Sequence, residues 1–462
     1  MNNLEIEFNQ LVGKAQTVRN RLGAVRDQIV KGLYQQAQYI AGEVVKTHDR
    51  RDDLDRKIDN IVTSKFFGYP LMIALLSLVF WITITGANYP SAMLADLLFA
   101  FQDRLTAFFQ WAGAPDWLHG VLVLGLYQGL AWVVSVMLPP MAIFFPLFTF
   151  LEDLGYLPRV AFNLDKLFKK AGAHGKQVLT MCMGFGCNAA GVIACRIIES
   201  PRERLIAMLT NNFVPCNGRF PTLIAMAAVL MGAFVSGYNS FAASTLVAAV
   251  VVFGILVTLA VSWVLSKTML KGVPSTFTLE LPPYRWPKIG TLLIRSILDR
   301  TLFVLMRAVI VAAPAGAVTW ILANIHIGDL SILAHFAGWL QGFGHLIGLD
   351  GYIVMAFILG LPANEIVVPI LIMGYLSKGA MLELDSIEAL RQVLINNGWT
   401  WLTPLNMILF SLLHFPCATT LLTIRQETQS TKWTLLSALI PTAVAIVVCF
   451  VVTQLVRGLG LV

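Results

Sequence analysis

The chain has 462 residues, 57% of them hydrophobic and 13% charged, with a net charge of +7 and a mean hydropathy of +0.72. Soluble domains carry about 25% charged residues, so half that density excludes an ordinary water-soluble globule and points to lipid as the solvent. The basic residues sit in short loops such as "DKLFKKAGAHGK" and "RIIESPRERL", as cytoplasmic loops between membrane spans do, and give no ground for a nucleic-acid partner. Six cysteines, mostly inside apolar segments, do not resemble the framework of a secreted disulfide protein.

Residues 1–65 read as a cytoplasmic helical segment and linker. Leu4, Phe8, Leu11, Ala15, Val18, Leu22, Val25 and Ile29 recur every three or four residues, which lays one apolar stripe along a helix. The stripe fits a hairpin packed on itself, or a docking surface for a partner. Met1 is followed by polar and charged residues, so no secretory leader is expected, and the N-terminus is placed in the cytoplasm.

From residue 66 onward the apolar runs reach the roughly 20 residues that cross about 30 Å of hydrocarbon. The clearest are Phe66 to Gly86, Trp117 to Leu138, Phe241 to Leu265, Phe303 to Ala323, Trp401 to Leu422 and Trp433 to Val456. Runs near 141–157, 177–198, 204–232 and 350–376 are interrupted by Gly, Pro or polar residues. About eight to eleven spans or half-spans follow. Residues 92–111 and 290–302 carry Asp96, Asp103, Arg104, Arg295, Asp299 and Arg300 and read as helices lying at the interface. The expected fold is all-α: a polytopic transmembrane helical bundle with two gate-type repeats containing broken helices, halves 66–275 and 276–462.

The repeat rests on an internal echo. "MGFGCNAAGV" (183–192) aligns with "LGLPANEIVV" (359–368), so Gly184 falls on Gly360, Cys187 on Ala363 and Asn188 on Asn364. Downstream, "NNFVPCNGRF" and "LHFPCATTLL" each centre on a Pro-Cys pair, Pro215-Cys216 and Pro416-Cys417. Unwound backbone in a membrane is tolerated only where it is buried in protein or lines a cavity. Gly184, Gly186 and Pro362 make such breaks easy, and matched breaks in two repeats mark transporter substrate sites.

Thiolates, thioethers and imidazoles suit borderline divalent metals, so Cys187, Cys216 and Cys417, with Met183 and His414 nearby, are candidate ligands. Cys182, Cys195 and Cys449 read as packing residues. No CxxC or HxxxH spacing supports a tight structural zinc site; dispersed ligands suit an ion that must be released. Glu365 lies in an apolar run with no basic residue near it in sequence, and an intramembrane carboxylate is a functional candidate by default. Asn188 and Asn364 complete the candidate set. Glu152 and Asp153 read as structural, paired with Arg159 at the membrane edge; for Arg219 a carboxylate partner and a cytoplasmic position remain equally open. No GxxxxGK[ST] phosphate loop occurs, so no nucleotide hydrolysis, and no bound nucleotide, is expected of this chain.

"FPLFTFLEDLGYLPRVAFNLDKLFKKAGAHGKQVLTMCMGFGCNAAGVIACRIIESPRERL" with "PCNGRFP" resembles the first gate region of the bacterial ferrous iron transport protein B family (FeoB). "LGLPANEIVVPILIMGYL" resembles the second gate region, and "FPCATTLLTIRQET" the family's closing motif. The resemblance runs from about residue 45 to the C-terminus. It implies a plasma-membrane importer of Fe²⁺ whose gate regions form the pathway, with Cys187, Cys216 and Cys417 at the family's pathway cysteines. Two departures stand out. "GCNAAGV" lacks the proline that the family commonly shows there, and the family's N-terminal GTPase domain is not found. The expectation is a separately encoded GTPase docking on residues 1–65, a small accessory protein of the same system, and a homo-oligomer in lipid of the bacterial inner membrane. Alternatives are Mn²⁺ or Zn²⁺ transport, a nucleoside-like solute, or a membrane scaffold that transports nothing.

Overall fold

A computed structural model describes residues 14, 17–18, 28–44, 50–64, 66–234, 240–272, 284–377, 379–381 and 387–461. The chain forms two compact units, Met1–Asn60 and Ile61–Val462. In the first, residues 28–44 are helical and Ile29, Leu33, Ile40 and Val44 are exposed along it. Of the apolar stripe read from the sequence, Val18 and Ile29 are described and exposed; Leu4, Phe8, Leu11, Ala15, Leu22 and Val25 lie outside the described residues.

The second unit is a helical bundle. Seven helices among the described residues are long and apolar enough to cross a bilayer. Numbered in chain order, α1 is Arg50–Val62, most of which falls in the first unit; in the second, α2 is Gly68–Trp111, α3 Asp116–Asp153, α4 Tyr156–Lys170, α5 Gln177–Gly186, α6 Asn188–Ala194, α7 Pro201–Thr210, α8 Phe220–Phe234 and α9 Ser240–Lys267. They are followed by α10 Ile289–Asn324, a two-stranded hairpin (His326–Ile327 with Leu330–Ser331), α11 Ile332–Leu346, α12 Gly351–Leu359, α13 Val367–Tyr375, α14 Ile387–Asn396, α15 Leu402–Leu413, α16 Ala418–Thr428 and α17 Thr431–Gly458.

Two expectations change. Residues 92–111 do not form a separate helix; they continue α2, whose 44 residues run through Pro90 without stopping. One proline removes one hydrogen bond and kinks a helix without having to end it. At 1.5 Å per residue α2 is about 66 Å long, roughly twice the hydrocarbon thickness. Residues 290–302 likewise run straight into the following span within α10, through a π-wound stretch, Arg295–Leu302.

The internal echo extends well beyond the two motifs. Helices α4 and α11 begin and end 176 residues apart, at Tyr156 and Ile332 and at Lys170 and Leu346. Gly172 and Gly348 fall at the same offset and both adopt the left-handed conformation, φ +71° and +70°. π-wound turns occur near equivalent places in α3 (Gly120–Tyr127) and α10. After the longer connection that contains α14, the offset becomes 201, as at Pro215 and Pro416. Where α3 and α10 cross, a Cβ on Gly316 would lie 2.3 Å from the Gly125 carbonyl oxygen, with Gly129 beside it. Small residues permit this close approach, which is how helices gain dispersion contacts in lipid.

Candidate metal site

The two breaks share one backbone conformation. Between α5 and α6, Cys187 is extended (φ −154°, ψ 128°); between α12 and α13, Ala363 is extended (φ −151°, ψ 120°). The glycines before the first break act through space rather than dihedral freedom. A Cβ on Gly186 would stand 2.6 Å from the Phe144 ring, and one on Gly184 3.0 Å from the Asn211 amide oxygen. The freed backbone is re-paired: Cys187 N–H donates to Met183 O (3.1 Å), Ala363 N–H to Gly360 O (3.1 Å), and Ala418 N–H to Leu361 O (2.8 Å). The two Pro-Cys loops are also alike, with Cys216 and Cys417 extended at ψ 168° and 159°, each preceding a new helical turn.

These four interruptions meet. Cys187, Cys216, Cys417, Asn188, Asn364 and Glu365 all line one narrow cavity, with Thr419 and Gly218 beside them. It offers about 20 Å³ to the centre of a water-sized particle, enough for one. Glu365 is 6% exposed, and its carboxylate lies over Gly218, where a Cβ would be 2.1 Å from Oε1. Among the described residues no three His, Cys, Asp or Glu side chains close round a point as a ready-made metal cage. All six cysteines are free. A wider cavity, about 550 Å³, opens at the start of α12 beside His345, Asp350 and Arg457. It holds no thiol, and its Asp350 carboxylate is engaged by the Ile353 N–H and the Tyr375 hydroxyl, so the smaller cavity is the better ion site.

Met183 and His414 do not line the cavity. Met183 packs in the apolar cluster with Phe144, Phe145 and Phe148. The His414 ring stands among Phe357, Phe410 and Phe415, with Nδ1 3.0 Å from the Phe410 and Ser411 carbonyls. The three cysteines read as packing residues are placed accordingly: Cys195 and Cys449 are fully buried, each with its thiol against a backbone carbonyl, and Cys182 packs at the edge of an apolar cluster. Glu152 and Asp153 are exposed at the end of α3, while Arg159 is buried, donates to Gly155 O (2.7 Å) and lies 4.1 Å from the centre of the Tyr284 ring.

Arg219, which the sequence left open, is the main tie between the loops. It is fully buried. Nη1 donates to the Asn212 and Leu412 carbonyls at 2.8 Å each; Nη2 donates to Asn212 Oδ1 (3.0 Å), Phe415 O (3.1 Å) and His414 O (3.3 Å). Asn212 also donates to His414 O, and the Asn188 amide, with its nitrogen turned toward the acceptors around it, donates to the Gly184 and Val214 carbonyls, 3.2 Å from each. Asn211, whose amide nitrogen donates to Asn188 O (3.2 Å), Asn212 and Arg219 thus hold the first Pro-Cys loop against the first break and the second Pro-Cys loop.

The Gate family, described as nucleoside recognition, matches residues 134–231 and 305–431, and the C terminus of ferrous iron transport protein B matches residues 247–299. The "Fe(2+) transporter FeoB" of Staphylococcus aureus strain MSSA476 is 29% identical over 98% of this chain and 68% of its own length. This chain resembles the membrane part of those FeoB transporters. The Methanocaldococcus jannaschii "Fe(2+) transporter FeoB" is 27% identical over 96% of this chain and 66% of its own length. The Porphyromonas gingivalis "Fe(2+) transport protein A/Fe(2+) transporter FeoB fusion protein" is 26% identical over 90% and 54%. No solved structure matches.

Proposed function

We infer that this FeoB-like chain carries Fe²⁺ across a membrane through the cavity between the two breaks. The observation that carries the reading is the convergence of Cys187, Cys216 and Cys417 with Glu365 in a space that holds a single water-sized particle. Sulfur with carboxylate and amide oxygen is a mixed donor set suited to a borderline cation such as Fe²⁺. An ionised carboxylate within a span is expensive unless a cation or a proton accompanies it. The name of the Gate family raises nucleosides, but pockets for molecules of that class run to roughly 300–1,000 Å³, far above what this cavity offers.

Cys187, Cys216, Cys417, Glu365, Asn364 and Asn188 are proposed as the groups the ion passes, in two repeats divided near residue 275. The proposed setting is the bacterial inner membrane with the N-terminus in the cytoplasm. A GTPase acting in trans on residues 1–65 is the proposed drive or gate, and the fused relative supports a small accessory protein of the transport protein A type. Uptake of Fe²⁺ by proteoliposomes tests the core of this. Wild type accumulates the ion, and the triple variant Cys187→Ser, Cys216→Ser, Cys417→Ser falls to the level of empty vesicles; full uptake by the triple variant refutes the thiol pathway. A scaffold would show no uptake in either.

A further inference from the structure

The cavity is built from residues at equivalent places in the two repeats, and it is chemically lopsided. At the offset of 176, Cys187 stands opposite Ala363 and Asn188 opposite Asn364, while Glu365 has only Ala189 as its counterpart. At the offset of 201, Cys216 matches Cys417, but Gly218 is replaced by Thr419. The first repeat therefore brings the additional sulfur, and the second brings the additional oxygens. The substitutions interlock: the Glu365 carboxylate occupies the volume a side chain on Gly218 would need.

Two side-chain oxygens of the second repeat have nothing to bond to. Asn364 Oδ1 and Thr419 Oγ1 are buried without a hydrogen-bond partner, in residues 5% and 3% exposed, and both residues line the cavity. The contrast with their neighbours is direct. Thr423 and Thr428, farther along α16, donate to carbonyls of their own helix at 2.8 and 2.7 Å. Buried polar atoms are costly to leave unpaired, and two in one small cavity mark a place where a ligand supplies the missing interaction.

We propose that Thr419 and Asn364 are selectivity residues. Their oxygens join Glu365 to complete the shell of a borderline divalent cation and so set Fe²⁺ apart from softer ions that thiols alone would favour. Hard oxygen donors stabilise Fe²⁺ more than Cd²⁺, whereas cysteine sulfur along the cavity stabilises both. Gly218 is a positioning residue: it leaves the Glu365 carboxylate room to reach the same space.

The inference rests on the transport reading, and the test separates the two. Fe²⁺ uptake by proteoliposomes is measured with Cd²⁺ as inhibitor, for wild type, Thr419→Val, Thr419→Ser and the triple cysteine variant. Valine keeps the shape of threonine and removes the hydroxyl. Thr419→Val is expected to raise the half-saturating Fe²⁺ concentration about tenfold, the loss of one modest ligand, while the Cd²⁺ concentration for half-inhibition changes less than about twofold. Thr419→Ser is expected to restore the wild-type ratio. Because the readout is a ratio within one preparation, a lower yield of folded protein cancels. An unchanged ratio in Thr419→Val, whether neither constant moves or both move together, or a Thr419→Ser that fails to restore it, overturns the selectivity role. With the triple cysteine variant inactive, that outcome leaves the transport reading standing. A wild type that accumulates no Fe²⁺ overturns both.

Discussion

Replacing Arg219 tests what holds the candidate site in shape. The guanidinium meets four backbone carbonyls and one amide oxygen, and two of the carbonyls have prolines where a local donor would be. Leu412 O would ordinarily pair with the amide four residues on, which is Pro416, and the amide three residues after Asn212 belongs to Pro215. In Arg219→Leu, His414 O keeps Asn212 as a donor, but the carbonyls of Asn212, Leu412 and Phe415 lose the guanidinium. Each orphaned buried carbonyl costs about 1–3 kcal/mol, and relief from burying a cation offsets part of the sum. The net loss is about 3–5 kcal/mol, which for a chain of this size corresponds to a melting temperature lower by roughly 3–6 °C. Arg219→Lys should fall between, since a lysine ammonium cannot reproduce the planar fork. Melting of the purified protein in detergent, followed by size-exclusion recovery, reads this out. An Arg219→Leu protein that melts within about 1 °C of wild type would show that the two Pro-Cys loops hold together without the arginine.

His174, in the loop between α4 and α5, is 5% exposed, and burial lowers its pKa despite the opposing influence of Glu203. The folded state therefore favours the neutral ring, and the unfolded chain takes up its proton first as pH falls below about 6.5. Stability should drop through that window and His174→Gln should flatten the drop; melting curves between pH 7 and pH 5 that coincide for the two proteins would count against it. Gly351→Ala places a Cβ 1.9 Å from the Ala337 carbonyl oxygen, a backbone atom with no freedom to move aside, whereas Gly290→Ala meets nothing within 4 Å. The first substitution should abolish monodisperse expression and the second leave it unchanged, as gel filtration of membrane extracts will show.

The spans were legible because the bilayer imposes a length: α3, α9, α10, α15 with α16, and α17 all contain runs read directly from composition. The breaks were legible because Gly, Pro, Asn and Cys are poor company in a lipid-facing helix. Proximity in sequence was a weaker guide. His414 is three residues from Cys417, yet Pro416 redirects the chain between them, and the ring turns into a phenylalanine cage. Arg219 was undecidable for a related reason: its partners are main-chain carbonyls near residue 414, and carbonyls leave no mark on a sequence. The full reach of the repeat was hidden too. "GAHG" and "GLDG" look unrelated at their third residue, and what they share is the positive φ of Gly172 and Gly348. Thr419 resembled any other helical threonine until the structure showed its hydroxyl unpartnered. Two repeats with one backbone plan separate the demands on their residues: where equivalent positions agree, as at Asn188 and Asn364 or Cys216 and Cys417, the shared element lines the proposed crossing point. Where they disagree, as at Cys187 and Ala363, Ala189 and Glu365, or Gly218 and Thr419, the backbone already tolerates either side chain, so the difference is free to serve the ion.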